Sequence, residues 1–175
     1  MTENQRGVFV TGTGTGVGKS VVAAAICARL SAAGERVAAF KPALSGLEEA
    51  ASEWPPDHEL LASTASAGQT PEDITPYRFG PALSPHLAAE GEGFTIDPAR
   101  LLRAAAAAAE SADVVVVEGV GGLLVPLTPA YLVRDLAVEL DLPVLIVSLP
   151  RLGTINHTLL TICLLYTSPS PRDRS

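Results

Sequence analysis

Residues 11–20 of this chain are Thr11-Gly12-Thr13-Gly14-Thr15-Gly16-Val17-Gly18-Lys19-Ser20. The apolar run Val8-Phe9-Val10 precedes this segment, and an alanine-rich run over residues 21–30 follows it. This order predicts a buried strand, a glycine-rich turn and a helix, which is the context that a phosphate-binding loop requires. Glycines allow backbone N–H groups to converge on phosphate oxygens at the positive end of the following helix.

The end of the loop supplies groups suited to a nucleotide. We expect Lys19 to place a positive charge near the β and γ phosphates and the Ser20 hydroxyl to be a ligand for Mg²⁺. The common spacing, Gly-x-x-x-x-Gly-Lys-Ser/Thr, requires glycine at position 13, where this chain has Thr13. Because the first glycine is Gly12, we predict a loop one residue longer than the common form.

Composition limits the possible classes of protein. A chain of 175 residues fits one domain and should bury about 70% of its unfolded surface. Its 47% hydrophobic and 18% charged residues are typical of a globular α/β protein. The net charge of −7 disfavours non-specific nucleic-acid binding. No stretch approaches the ~20 apolar residues of a membrane span, and the amino-terminal segment, polar over residues 2–6, lacks an apolar signal segment. Two unpatterned cysteines favour a reduced compartment. We therefore predict a cytoplasmic protein without membrane or nucleic-acid partners.

Two more strand ends carry candidate functional groups. Residues 35–41 form a predicted buried strand that ends at Lys41, and Pro42 prevents its continuation. Because open α/β sheets bind ligands at the carboxyl ends of their strands, we expect Lys41 to lie beside the phosphate loop of a neighbouring strand. Four valines, residues 114–117, are typical of a strand buried on both faces. An acidic residue at such a strand end, here Glu118, is expected to bind Mg²⁺ directly or through water.

The remaining elements complete an alternating pattern. We expect Asp57 to be the N-cap of one helix and Asp97-Pro98 to begin another, with a further helix over residues 131–140 and a strand over residues 144–149. The last predicted helix follows a loop and has Thr154 or Asn156 near its first turn. Strands that alternate with helices predict a P-loop NTPase-like α/β fold, a three-layer sandwich whose mostly parallel sheet has helices on both faces.

The carboxyl-terminal segment, residues 163–175, has neither helical periodicity nor strand alternation. We therefore predict one ATP-binding domain over residues 1–162, incomplete at its carboxyl end. Residues 163–175 are predicted to be a non-native or disordered tail.

Five motifs together resemble those of the dethiobiotin synthetases: residues 9–20, Lys41-Pro42 with Ser45-Gly46, Ser84-Pro85-His86, residues 117–122 and residues 152–157. The lengthened loop with Thr13 is the form found in that family. The resemblance implies an ATP- and Mg²⁺-dependent cyclo-ligase that joins CO₂ to 7,8-diaminononanoate. The reaction would pass through a carbamate and a carbamic-phosphoric anhydride to dethiobiotin, ADP and phosphate, in biotin biosynthesis.

The resemblance also implies roles for individual residues. Lys41, Lys19 and Thr15 match its catalytic positions. Its ATP-binding positions match Gly16, Val17, Gly18, Lys19, Ser20, Val21, Asp57, Glu118, Gly119, Val120 and Gly121. Its Mg²⁺ environment matches Ser20, Asp57 and Glu118, with Glu53 and Glu59 as alternatives to Asp57. Its substrate-binding positions match Thr15, Ser45, Gly153, Thr154, Ile155 and Asn156, of which the last four receive the substrate carboxylate across a homodimer interface.

Three alternatives share the phosphate loop. Regulatory ATPases of the partitioning kind carry a lysine five residues before the second lysine, where this chain has Gly14. Amide-forming synthetases of cobalamin precursors usually carry an attached glutaminase domain, for which 175 residues leave no room. The third alternative is a nucleotide-binding remnant without catalytic activity.

Overall fold

A computed structural model of the chain describes residues 6–49 and 54–167. Residues 1–5, Glu53 and the predicted tail beyond residue 167 lie outside this part. The described strands are β1 (Gly7–Gly12), β2 (Val37–Phe40), β3 (Val114–Glu118), β4 (Pro126–Thr128), β5 (Tyr131–Leu132) and β6 (Val144–Val147). The described helices are α1 (Lys19–Ala32), α2 (Asp57–Thr64), α3 (Pro71–Ile74), α4 (Pro85–Gly91), α5 (Pro98–Glu110), α6 (Val133–Leu140) and α7 (Thr154–Thr167).

The main sheet has four parallel strands in the order β2-β3-β1-β6. Its second strand, β3, is buried along its whole length, as its run of valines predicts. The expectation that Lys41 follows a strand directly beside the phosphate-loop strand was wrong, because β3 lies between β1 and β2. This arrangement places Glu118, the last residue of β3, between the end of β2 and the phosphate loop.

Apolar side chains cover both faces of the sheet. Phe9 of β1 and Phe40 of β2 belong to one buried cluster with Leu101 of α5 and Leu136 of α6. The next residue of β1, Val10, belongs to a second cluster with residues of α1 and α2. Successive side chains of a strand point to opposite faces, so a strand with apolar residues at consecutive positions needs helices on both sides. The predicted α/β fold with a parallel sheet between helices is confirmed.

Several element boundaries differ from the prediction; the strand predicted over residues 144–149, for example, ends at Val147. The predicted helix over residues 131–140 begins instead at Val133, because Tyr131–Leu132 pairs with β4 in a short antiparallel hairpin. The final helix, α7, continues through Thr167, so the first five residues of the predicted tail are helical. Within the described part of the chain, no helix combines the length and apolar character needed to cross a membrane. The predicted domain limit at residue 162 and the cytoplasmic location stay predictions.

The start of α5 provides a local test of stability. Asp97 is its N-cap, and its Oδ1 accepts a hydrogen bond of 2.9 Å from the backbone N–H of Ala99. We expect Asp97→Ala to lower the free energy of unfolding by about 1 kcal/mol, because an N–H of the first turn loses its partner. Urea unfolding monitored by circular dichroism measures the change. Asp97→Asn, which retains an oxygen acceptor, should lose less than half as much, and equal losses would contradict this role.

Candidate functional site

The carboxyl ends of β1, β2 and β3 open into one cleft of about 710 Å³. The phosphate loop follows β1, Lys41 follows β2 and Glu118 ends β3. Most of the sequence-predicted site residues line this cleft: Thr15, Gly16, Gly18, Lys19, Ser20, Val21, Lys41, Ser45, Asp57, Glu118, Val120 and Gly121. The fold thus brings together groups from four separate parts of the chain.

The phosphate loop has a backbone that depends on glycine at particular positions. Gly16 and Gly18 have φ angles of 70° and 96°, a region that side chains with a Cβ rarely adopt. Gly18 is also the N-cap residue of α1 and provides no side-chain hydrogen bond there. At Gly12, a Cβ would lie 2.6 Å from Val17 Cγ2 and 3.0 Å from Lys19 Cγ. The loop therefore presents the N–H groups of the first helical turn to the cleft without side chains in the way.

A buried ion cluster occupies the floor of the cleft. Lys41 Nζ donates hydrogen bonds of 2.7 Å to Asp57 Oδ2 and to Glu118 Oε1. The hydroxyl of Ser20 donates to the same Glu118 oxygen at 2.8 Å. Lys41 is 4% exposed and Glu118 is 1% exposed, so solvent does little to screen their attraction. One ammonium group therefore compensates two carboxylates, the buried Glu118 and Asp57, whose side chain is 35% exposed.

The cluster determines the protonation of Lys41 and Asp57. Burial lowers the pKa of Lys41, but the charges of Glu118 and Asp57 outweigh this effect and hold the pKa above its usual value. Burial raises the pKa of Asp57, but Lys41 outweighs it, so the Asp57 pKa lies below its usual value. At neutral pH, Lys41 is accordingly an ammonium and Asp57 a carboxylate.

The second lysine of the cleft is held by the loop itself. Lys19 Nζ donates a hydrogen bond of 2.8 Å to the carbonyl oxygen of Gly14, and the residue is 6% exposed. Burial lowers the pKa of Lys19, and the nearby charge of Lys41 lowers it further. Lys19 and Lys41 are the only lysines in the sequence. Both therefore lie at this one site, where their charges repel each other.

The oxygen atoms of the cluster suit a hard divalent cation. Glu118, Asp57 and Ser20 supply two carboxylates and a hydroxyl, which are the donors that Mg²⁺ prefers. Glu118 Oε2 is buried and has no hydrogen-bond partner among the described residues. In the described part of the chain, no three His, Cys, Asp or Glu side chains are grouped so that they could hold a metal ion together. A cation here would therefore need further ligands from water or phosphate, as Mg²⁺ commonly does.

Asp57 differs from its predicted local role. The helix α2 begins at Asp57, its N-cap is Pro56, and no side chain caps it. The N-cap prediction for Asp57 was therefore wrong, because the carboxylate contacts Lys41 instead. Of the two alternatives, Glu59 is exposed on α2 and Glu53 lies outside the described residues.

Some predicted site residues lie away from the main cleft. Gly119 packs beneath the ring of Phe9. Val17 is buried and lines a separate cavity of about 160 Å³ together with Thr154. The neighbours of Thr154, which are Gly153, Ile155 and Asn156, are exposed. Within one chain, the structure does not bring the 153–156 segment into the cleft that contains Lys41.

The structure also adds residues to the cleft that carried no predicted role. Glu49, Trp54, Leu83 and Ser84 line its mouth. Glu49 and Leu83 lie close in sequence to backbone hydrogen bonds that join residues 44–48 to residues 77–81. The sequence contains no signal for this contact, because it depends on a pairing between residues far apart in the chain. The only hint was the Ser84-Pro85-His86 motif.

The fold and the cleft define a P-loop nucleotide-binding protein. The family model described as an AAA domain matches residues 6–168. The ATP-dependent dethiobiotin synthetase of Anaeromyxobacter dehalogenans (strain 2CP-C) is 48% identical over 157 residues, which are 90% of this chain and 69% of that protein. The ATP-dependent dethiobiotin synthetase of Bacillus subtilis (strain 168) is 42% identical over 90% of this chain and 67% of that protein. The synthetase of Nitrosospira multiformis is 43% identical over 89% of this chain and 68% of that protein.

This chain therefore belongs to the ATP-dependent dethiobiotin synthetase family, as its motifs predict. The names of these relatives favour the synthetase interpretation over the regulatory ATPase and the inactive remnant.

Proposed function

We propose that this protein uses ATP to carboxylate 7,8-diaminononanoate with CO₂ and to close the product to dethiobiotin, in biotin biosynthesis. One observation carries the proposal: the phosphate loop, the buried Lys41 and the acidic end of β3 line the same cleft. The kinship of the chain to dethiobiotin synthetases supports the same reaction.

The phosphate loop would bind ATP. The N–H groups of residues 16–20, at the positive end of α1, form a site for the β and γ phosphates. Lys19 would exchange its bond to the Gly14 carbonyl for a phosphate oxygen, because a charged acceptor is stronger than a neutral one. Val21, Val120 and Gly121 extend the nucleotide side of the cleft.

Ser20, Asp57 and Glu118 are the residues that would hold Mg²⁺, and their donor atoms fit that ion. When bound, the ion would offset the negative charge of the phosphates. The unpartnered Glu118 Oε2 supports this assignment, because a buried carboxylate oxygen without a partner is costly.

The chemistry places one demand on the protein: an anionic carbamate must approach an anionic γ-phosphate. One substrate amine adds to CO₂ and releases a proton, and an oxygen of the resulting carbamate attacks the γ-phosphorus while ADP leaves. The second amine then attacks the carbamoyl carbon and releases a proton, and phosphate leaves as the ring closes. Lys41 and Lys19 would stabilise the charge that develops during transfer, and Thr15 and Ser45 would orient the substrate.

A homodimer would complete the substrate site. The exposed 153–156 segment includes the start of α7, whose N–H groups suit the carboxylate of a substrate bound in a partner's cleft. The exposure of Ile155 and Asn156 supports this proposal, since an interface residue lies at the surface of the single chain.

The direct test supplies ATP, Mg²⁺, bicarbonate and 7,8-diaminononanoate, and follows phosphate release together with dethiobiotin by mass spectrometry. We expect phosphate release to depend on the diamine and to match dethiobiotin mole for mole. ATP turnover that is indifferent to the diamine would contradict the proposed function.

The loop glycines predict a contrast between two alanine variants. We expect Gly12→Ala to weaken ATP binding about tenfold or more, because its Cβ would displace Val17 and the stem of Lys19. Gly14→Ala is the matched control, because a Cβ there meets no atom within 4 Å. Equilibrium binding of a fluorescent ATP analogue measures both. Equal losses of ATP affinity in the two variants would contradict the argument that the contacts of a Cβ at Gly12 with Val17 and Lys19 disturb the loop.

A further inference from the structure

The position of Lys41 poses a problem for its proposed role. An ammonium group has three N–H donors, and two of those of Lys41 point to Asp57 and Glu118 at 2.7 Å. Held this way, the group is a counter-charge for carboxylates rather than a free cation for a carbamate or phosphate. The Lys41 ammonium must leave Asp57 and Glu118 before it can contact anionic groups in the cleft.

The oxygens that hold Lys41 are also those that suit a divalent cation. Glu118 Oε1 accepts from both Lys41 and Ser20, and Asp57 accepts from Lys41. A lysine ammonium and a divalent cation repel each other, and both are attracted to the carboxylates of Glu118 and Asp57. Each charge therefore disfavours the other in the space between these carboxylates.

The structure allows the side chain to move without unfolding the strand. The backbone N–H of Lys41 is bonded to the carbonyl of Ile74, which anchors the residue at the end of β2. Its stem of four carbons is flexible, and the residue already borders the cleft. Lys19 is held in a similar way, by the carbonyl oxygen of Gly14. Both lysines thus donate hydrogen bonds to acceptors within the chain.

We propose that Lys41 is the resident cation of the divalent-cation site and that the two exchange: binding of the divalent cation to Asp57 and Glu118 releases the Lys41 ammonium into the cleft. This inference rests on the cation site of the proposed function. It makes cation binding the event that delivers the lysine to the reacting groups. It also predicts that the cation binds weakly without nucleotide, because it must displace Lys41.

The first test observes Lys41 in the unaltered chain. Protein labelled with ¹³C-lysine gives Cε signals from two residues only, and Lys19→Met assigns them. Mg²⁺ is titrated without nucleotide, and Mn²⁺ binding is measured in parallel by electron paramagnetic resonance. We expect the Lys41 signal to shift to saturation with the same midpoint as cation binding, and the Lys19 signal to shift less. A cation that binds while the Lys41 signal stays in place overturns the exchange.

The second test removes the resident cation. We expect Lys41→Met to bind Mn²⁺ at least about tenfold more tightly than the unaltered chain at pH 8 without nucleotide, because no ammonium has to be displaced. Lys19→Met is the matched control, since Lys19 donates to a carbonyl and not to the carboxylates, and its change should be much smaller. Unchanged or weaker Mn²⁺ binding in a folded Lys41→Met protein overturns the proposal.

The outcomes separate this inference from the proposed function. If the unaltered chain binds no Mn²⁺ even with ATP present, the cation site fails and the exchange fails with it. If the cation binds and the diamine-dependent reaction proceeds while Lys41 does not respond, only the exchange is wrong. If Lys41→Met does not fold, as circular dichroism would show, the titration of the unaltered chain decides alone.

Discussion

Replacing Lys41 with methionine should lower the rate of dethiobiotin formation by about 10³-fold or more. The substitution keeps much of the side-chain volume and removes the charge that would stabilise the transferred phosphoryl group. Lys41 is buried with two carboxylates, so the same change leaves them without a counter-charge. Removing one partner of a buried ion pair costs about 3–5 kcal/mol, and we expect a loss of stability in that range.

A double variant separates these two effects. Adding Glu118→Gln to Lys41→Met removes one of the stranded charges, so urea unfolding should show that part of the lost stability returns. The rate should not return, because the lysine is still absent. Product formation near the original rate in folded Lys41→Met would contradict the catalytic role. Further destabilisation of the double variant would contradict the charge-compensation argument.

Replacing Glu118 with glutamine should weaken Mg²⁺ binding in the presence of ATP, and the rate of the reaction, by about 100-fold. The amide keeps the shape of the side chain but replaces one carboxylate oxygen with an NH₂ group that cannot bind a cation. Mn²⁺ binding measured by electron paramagnetic resonance, together with the product assay, tests both effects.

Glu49→Gln is the matched control for Glu118→Gln. Glu49 lines the same cleft, but it is exposed and makes no ion pair with Lys41. Its substitution should leave cation affinity within about twofold, because solvent screens an exposed carboxylate. Similar losses of cation binding in both variants would show that the general negative charge of the cleft, and not Glu118, attracts the cation.

The local sequence was sufficient for the elements that bind phosphate. The glycine-rich turn before Lys19 lies between an apolar run and an alanine-rich run, so strand, loop and helix follow from neighbouring residues. The four valines before Glu118 predict a strand buried on both faces, and β3 is buried along its whole length. In each case the signal lies within about ten residues, and the burial of the strand requires no knowledge of its neighbours.

The local sequence does not predict the ion pairs of Lys41 with Glu118 and Asp57. These three residues come from β2, β3 and α2, and the strand order that joins them depends on how the whole sheet packs. Asp57 is the clearest example of a contact that the local sequence does not predict. An aspartate at a helix start is usually a cap, but here the ammonium at the end of β2 attracts it more strongly than the local N–H groups.

For the two lysines, neighbouring residues determine some properties and long-range packing determines others. Neighbouring residues determine that Lys19 ends a phosphate loop and that Lys41 ends a buried strand. Long-range packing determines that Lys41 lies between two carboxylates in a place that solvent barely reaches. A charge without water must have a partner, and only the folded chain brings that partner within hydrogen-bonding distance.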